Sequence, residues 1–112
     1  MSCISRIEEL AEEFTQIRHE FHAHPELSNK EYETAKTIAR YLTDWGIEVH
    51  TGIGGTGVVG VLKNGESDKR IALRADIDAL PITEANRFDY ASKNEGVMHA
   101  CGHDGHITAL LL

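Results

Sequence analysis

The sequence predicts an α/β fold, in which two N-terminal helices are followed by the first strands of a mixed sheet. Apolar residues recur at steps of three and four over the first 45 residues, which is the period of amphipathic helices. From Ile47 the apolar residues alternate, which is the period of a strand. A length of 112 residues, with 41% hydrophobic and 26% charged residues, is typical of one soluble globular domain.

The first predicted helix ends between His22 and Pro25, because proline disfavours a helical residue before it. Its glutamates form a solvated face. Its apolar stripe consists of Ile4, Ile7, Leu10, Ala11, Phe14, Ile17 and Phe21.

The second predicted helix opens with a capping box, in which Ser28 is followed three residues later by Glu31. Gly46 stands where a helix is commonly terminated by a left-handed residue. The predicted buried stripe consists of Tyr32, Ala35, Ile38, Ala39, Leu42 and Trp45.

Three strands are expected next, around residues 47–51, at 56–63 and at 70–74, with a hairpin at Asn64-Gly65 between the last two. The glycine-rich run 52–57 is interpreted as a strand connection. A phosphate-binding loop would be followed by a helix and carry a lysine, and this run has neither.

Residues 75–106 show little periodicity, and so long an irregular stretch in a compact domain is typical of a functional loop. An apolar helix is expected to begin at Ile107. Because that pattern stops at Leu112 before it is complete, we expect the chain to be truncated.

Charge and composition exclude several classes of function. Eleven basic and 18 acidic residues give a net charge of −7, which disfavours a nucleic-acid partner. The acidic N-terminus does not read as a signal peptide, and no apolar run is long enough to cross a bilayer. Two cysteines, Cys3 and Cys101, do not form a disulfide framework, so we expect a reducing, cytoplasmic setting with the Cys101 thiol free.

The segment 98–106 carries one thiol, three imidazoles and a carboxylate. Cys101 and His103 are residue types that bind borderline-soft divalent metals, and Gly102 between them allows the backbone to turn. The alternative is a buried free cysteine beside a hydrogen-bonding histidine. His106 could be a third ligand or a residue that orients the first two, and we favour the second role.

Asp76 and Asp78 follow the third predicted strand and, at positions i and i+2 of an extended segment, share a face. They could lie beside a metal site, or one could cap backbone amides in a turn. Arg74 could pair with either carboxylate. For His22 and His24, substrate contact or structural hydrogen bonding is favoured over metal binding.

Four segments occur in an order that resembles a known family: RHEFHAHPELSNKEYETA (18–35), GIGGTGVVGVL (52–62), IALRADIDALPITE (71–84) and GVMHACGHDGH (96–106). Together they are similar to the N-terminal part of the aminoacylase-like metal-dependent amidohydrolases and metallopeptidases. This group includes hippurate hydrolases, N-acetyldiaminopimelate deacetylases and hydrolases of indoleacetic acid–amino acid conjugates.

The resemblance implies a zinc-peptidase-like catalytic domain, of which residues 1–112 form the N-terminal part, without the lid or dimerisation domain. It implies two divalent ions (Zn, Mn, Co or Ni), bound in part by Cys101 and His103. The other ligands and the general base would lie beyond Leu112, while Asp76 and Asp78 would support the ligands. The implied substrate is a small N-acyl amino acid, and a homodimer of the full-length protein is compatible with the resemblance.

Two hypotheses follow. In the first, the chain is the N-terminal part of a two-metal amidohydrolase, with little or no activity as 112 residues. In the second, it is a standalone, non-catalytic domain that binds a metal or a partner chain.

Overall fold

A computed structural model describes residues 2–112 as three helices and one two-stranded antiparallel sheet. In chain order these are α1 (Cys3–Ala23), α2 (Tyr32–Asp44), β1 (Glu48–Ile53), β2 (Gly57–Val61) and α3 (His103–Leu111). The α/β class and the two leading helices agree with the prediction. No helix among these residues is long and apolar enough to cross a membrane.

The core lies where α1, α2 and α3 meet. It is built from Phe14, Ile17 and Phe21 of α1, Ile38 of α2 and Ile107 of α3, all less than 9% exposed. The predicted stripe on α1 is therefore correct in its C-terminal half and wrong in its N-terminal half. Ile4 and Ile7, in the first turns of the helix, are 70% and 47% exposed.

The start of α2 differs from the prediction. The helix begins at Tyr32, and no side chain of the expected capping box accepts a bond from its first amides. The Glu26 carboxylate does so instead, accepting bonds from the amides of Glu33 and Thr34 at 3.1 and 2.6 Å. The Glu31 carboxylate turns away from the helix, to the Asn29 amide and the Thr56 hydroxyl.

The predicted stripe on α2 is buried only near its centre, at Ile38. Tyr32 and Trp45 at its two ends are 61% and 41% exposed. Gly46 follows the helix with φ +76°, as expected of a left-handed terminator.

The connection between β1 and β2 is the expected glycine-rich turn at residues 54–56. The third strand at 70–74 and the Asn64-Gly65 hairpin were wrong predictions. A strand exists only when its backbone bonds to a neighbour, and within residues 2–112 the sheet consists of β1 and β2 alone. Ile71 and Leu73 are accordingly 91% and 75% exposed.

The long irregular segment is fastened to the helices at a few backbone points. Ala79 donates to the Glu26 carbonyl, Lys93 to the Ala23 carbonyl, and Leu80 and Met98 form an isolated bridge. The segment ends at α3, which begins at His103 rather than at Ile107 as predicted. That earlier start places a predicted metal ligand on the first residue of a helix.

Replacing Gly46 with alanine is expected to lower the free energy of unfolding by about 1–2 kcal/mol, because φ +76° is strained for any residue with a Cβ. The added Cβ would meet no atom within 4 Å, so the cost is one of backbone conformation. Urea unfolding measures it.

Gly105→Ala is the matched control. Gly105 lies inside α3 with an ordinary φ and equally open space around its Cα, so alanine should stabilise the chain by up to about 1 kcal/mol. Equal effects of the two substitutions would contradict this account of Gly46.

Candidate metal site

Cys101, Gly102 and His103 form a turn that leads into α3. Gly102 is the N-cap of the helix with φ +92°, a conformation that favours glycine, and His103 is the first helical residue. The Cys101 thiol is free and exposed just before the turn. The segment is therefore of the turning kind in which a Cys-x-His pair can face one point.

Asp78 fixes the orientation of the His103 ring. The Nδ1 of His103 lies 2.9 Å from the Asp78 carbonyl oxygen and 3.0 Å from its Oδ1. Both oxygens only accept hydrogen bonds, so Nδ1 carries the proton. In the neutral ring the lone pair is then on Nε2, which is the arrangement of a metal-binding histidine oriented by a carboxylate.

Asp76 stands on the other side of the same ring. Its Oδ2 is 4.0 Å from His103 Nε2, beyond hydrogen-bond distance, while its Oδ1 pairs with Arg74 at 2.5 Å. The two aspartates thus flank one imidazole, as their shared face predicts. Arg74 pairs with Asp76 rather than with Asp78.

His106 lies one turn along α3 from His103, with its ring centroid 5.9 Å from that of His103. Its side chain is exposed, and a role in orienting the ligands stays a prediction. Among residues 2–112, no group of three or more His, Cys, Asp or Glu side chains is arranged to hold an ion. The described part of the chain therefore offers the two predicted ligands and no complete site.

A cavity of about 420 Å³ opens beside Asp76 and His106. Acidic, basic and apolar side chains all line it. The lining residues are Leu73, Arg74, Ala75, Asp76, His106, Ala109 and Leu110.

Behind His103, a buried histidine joins two carboxylates that sequence reasoning missed. His22 Nδ1 is 2.9 Å from Asp104 Oδ2, and His22 Nε2 is 3.0 Å from Glu84 Oε2. The three side chains are only 2–5% exposed. Arg18 adds a bond from Nε to Asp104 at 3.3 Å. Of the two roles favoured for His22, structural hydrogen bonding is the one observed.

The sequence indicates the buried position of Asp104 better than that of Glu84. Asp104 shares a helix face with Ile107 and Thr108, so an earlier start of α3 would have placed it on the buried side. Glu84 lies 62 residues from His22 in an irregular segment, and no local pattern indicates the contact.

Both carboxylates are ionised at neutral pH. Burial raises the pKa of Glu84, but hydrogen bonds from His22, the Ser92 amide and Asn86 outweigh it and lower the pKa. Burial likewise raises the pKa of Asp104, but the hydrogen bond from His22, the Arg18 charge and the Gly105 amide lower it overall. Each of the two carboxylates faces a different ring nitrogen of His22.

His99 is the opposite case. The ring is 4% exposed, and neither of its nitrogens has a hydrogen-bond partner among the described residues. Burial lowers its pKa, which the nearby Asp104 charge only partly opposes. His99 is therefore neutral at pH 7 and packs as an apolar ring.

Comparisons with known proteins agree with the resemblance seen in the sequence. Residues 72–112 match the model of peptidase family M20/M25/M40. Aligned over its whole length, the chain is 57% identical to a hippurate hydrolase from Campylobacter jejuni, and the alignment covers 29% of that protein. It is 48% identical to thermostable carboxypeptidase 2 from Saccharolobus solfataricus, in an alignment that covers 94% of this chain and 27% of that protein.

The fold agrees as well. The structure of YXEP from Bacillus subtilis, a dinuclear metal binding peptidase of the M20 family, superposes with a TM-score of 0.87 at 43% identity. The alignment covers 93% of this chain and 30% of that one. This chain is similar in sequence and fold to M20/M25/M40 peptidases. It spans less than a third of the length of these relatives.

The part that matches the M20/M25/M40 family model contains the five residues predicted to bind or support the metal: Asp76, Asp78, Cys101, His103 and His106. It also contains Glu84 and Asp104. His22 lies outside the match, on α1. The hydrogen bonds of His22 to Asp104 and Glu84 therefore join the matched segment to α1.

Acid should destabilise the chain through Glu84 and Asp104. A carboxyl whose pKa is lower in the folded state contributes stability that is present above its unfolded pKa and is lost as pH falls toward the folded value. With ordinary values of 4.5 and 3.8, the free energy of unfolding should decline below about pH 4.5. Urea unfolding between pH 3 and 7 measures this.

Glu84→Gln should lower the free energy of unfolding by about 3 kcal/mol at pH 7 and flatten its decline in acid, since one partner of a buried pair is removed. Glu66→Gln, at an exposed position, is the matched control and should change neither. If the free energy of unfolding of Glu84→Gln declined in acid as steeply as that of the parent chain, Glu84 would not be a source of the acid sensitivity.

Proposed function

We propose that residues 1–112 form the N-terminal part of the metal-dependent catalytic domain of a two-metal amidohydrolase. The reaction would split the amide bond of an N-acyl amino acid into a carboxylic acid and a free amino acid. The similarity to a hippurate hydrolase supports this substrate class, because hippurate is an N-acylated glycine. The remaining ligands, the general base and the lid or dimerisation domain would belong to segments that these residues do not include.

The observation that carries the proposal is the hydrogen bond between Asp78 and His103. It holds the proton on Nδ1 and leaves Nε2 as a neutral donor atom. Nε2 of His103 makes no hydrogen bond to protein within residues 2–112, so it is available to bind an ion.

Cys101 would be the second ligand, since its exposed thiol precedes His103 by one left-handed glycine. A thiolate and an imidazole suit zinc, cobalt or nickel, and a carboxylate supplied from elsewhere would make manganese acceptable. Asp78, Asp76 and His106 would orient these ligands without binding the ion themselves.

When bound, a pair of such ions activates a water molecule and polarises the amide carbonyl. The residues of this chain would contribute positioning. Asp78 fixes the tautomer of His103, Gly102 sets the turn between the two ligands, and the cavity beside Asp76 and His106 offers space for part of a substrate. Proton transfer to the leaving amine needs a carboxylate base outside these residues.

Cobalt titration tests the ligands. The purified 112-residue chain should give a thiolate-to-cobalt absorption band with Co²⁺, because Cys101 would bind as the thiolate. Cys101→Ser should abolish the band, and His103→Gln should weaken binding by at least tenfold.

Cys3→Ser is the matched control, since Cys3 is the other free and exposed cysteine. It should leave the band unchanged. A band that survives Cys101→Ser but is lost in Cys3→Ser would overturn the proposal.

The isolated 112 residues should release no measurable benzoate from hippurate, with or without added Zn²⁺, Mn²⁺ or Co²⁺. Two protein ligands leave an ion mostly coordinated by water, and the general base is absent. Chromatographic detection of benzoate checks this. Metal-dependent release that is lost in Cys101→Ser would show that the described residues suffice for catalysis.

A further inference from the structure

We propose that His22 is a positioning residue for His103: as an imidazolium, it holds together the two segments that set the orientation of the His103 ring. The inference rests on the proposed function, because it assumes that His103 binds an ion. It adds a residue on α1, outside the segment that matches the family model, to the support of the candidate metal site.

The ring of His103 depends on two pieces of chain. Its backbone is the first residue of α3, and its Nδ1 is held by Asp78 in the preceding irregular segment. The next residue of the helix, Asp104, and a residue six positions after Asp78, Glu84, both bond to His22. His22 therefore links the helix that carries the ligand to the segment that orients it.

The link between His22 and the two carboxylates is ionic and is shielded from solvent. The His22, Asp104 and Glu84 side chains are almost fully buried, so their electrostatic attraction is weakly screened. A neutral histidine could donate through only one nitrogen and would leave one of the two carboxylates without its donor. The double bridge thus requires the charged ring.

The rest of the fold does not depend on this link to the same extent. Ile107 anchors α3 in the apolar core one turn beyond Asp104, and backbone bonds at Ala79 and Lys93 fasten the irregular segment to the end of α1 and the residues just after it. Loss of the His22 bridge should therefore displace the first turn of α3 relative to Asp78 while the core stays packed. Loss of the bridge should also lower the free energy of unfolding, as in Glu84→Gln, so ion affinity is compared under conditions in which the variant is folded.

The test compares His22→Gln with His24→Gln in the 112-residue chain. His24 is exposed, and its ring is hydrogen-bonded to the Glu20 carbonyl rather than to a carboxylate, so it is a control of the same chemistry two residues away. Zn²⁺ affinity is measured by competition with a chromophoric chelator, at a temperature where circular dichroism shows both variants to be folded. His22→Gln should bind Zn²⁺ about tenfold more weakly, and His24→Gln as the parent chain does.

A second measurement needs no variant. In ¹⁵N-labelled, metal-free parent chain at pH 7, long-range ¹⁵N–¹H spectra of the imidazoles should show His22 protonated at both nitrogens. If His22→Gln does not fold, this measurement decides the inference.

The outcomes separate this inference from the proposed function. Zn²⁺ binding that is unaffected by Cys101→Ser would overturn the proposed function, and this inference with it. Cys101-dependent binding that is equally tight in His22→Gln would overturn this inference alone. A neutral His22 ring in the parent chain would do the same.

Discussion

The position of the candidate metal site depends on a buried histidine, His22, that bridges two ionised carboxylates. Isolated buried charges are costly, and a buried ion pair is maintained only when each charge has a partner and the remaining hydrogen-bonding groups are satisfied. His22 meets this condition with Asp104 and Glu84, and further donors (Arg18, Ser92 and Asn86) complete the two carboxylates. The irregular segment, which has no ladder of its own, thereby acquires a fixed position against α1 and α3.

Apolar and polar contacts have different roles in this arrangement. Phe21 and Ile107 bring α1 and α3 together without specifying an exact rotation, because apolar contact is not directional. The hydrogen bonds of His22 are directional, and they select the rotation that brings the start of α3 to Asp78. The position of His103 is thus the joint result of the core and of the charges behind it.

Sequence periodicity predicted the helices well because their cores are local: Phe14, Ile17 and Phe21 recur at helical spacing and are buried together. It failed for the third strand, since a strand depends on a neighbour that a local pattern does not contain. The Cys101–His103 pair came from residue chemistry, and its family context from a resemblance that the comparisons confirm. The contacts of His22 join residues 82 and 62 positions apart in the sequence, and no local sequence pattern predicts contacts at such separations.

Asp76 and Asp78 show how one spacing can serve two purposes. Two carboxylates at i and i+2 on an extended segment would repel each other unless each had a donor or a cation. Here Arg74 pairs with Asp76, and the His103 Nδ1–H group with Asp78. Asp78 is thereby committed to orienting the ring, while Asp76 keeps one oxygen, Oδ2, turned to the Nε2 side. The shared face predicted from the sequence is real, but the partners on that face, rather than the spacing, decide that the two aspartates act differently.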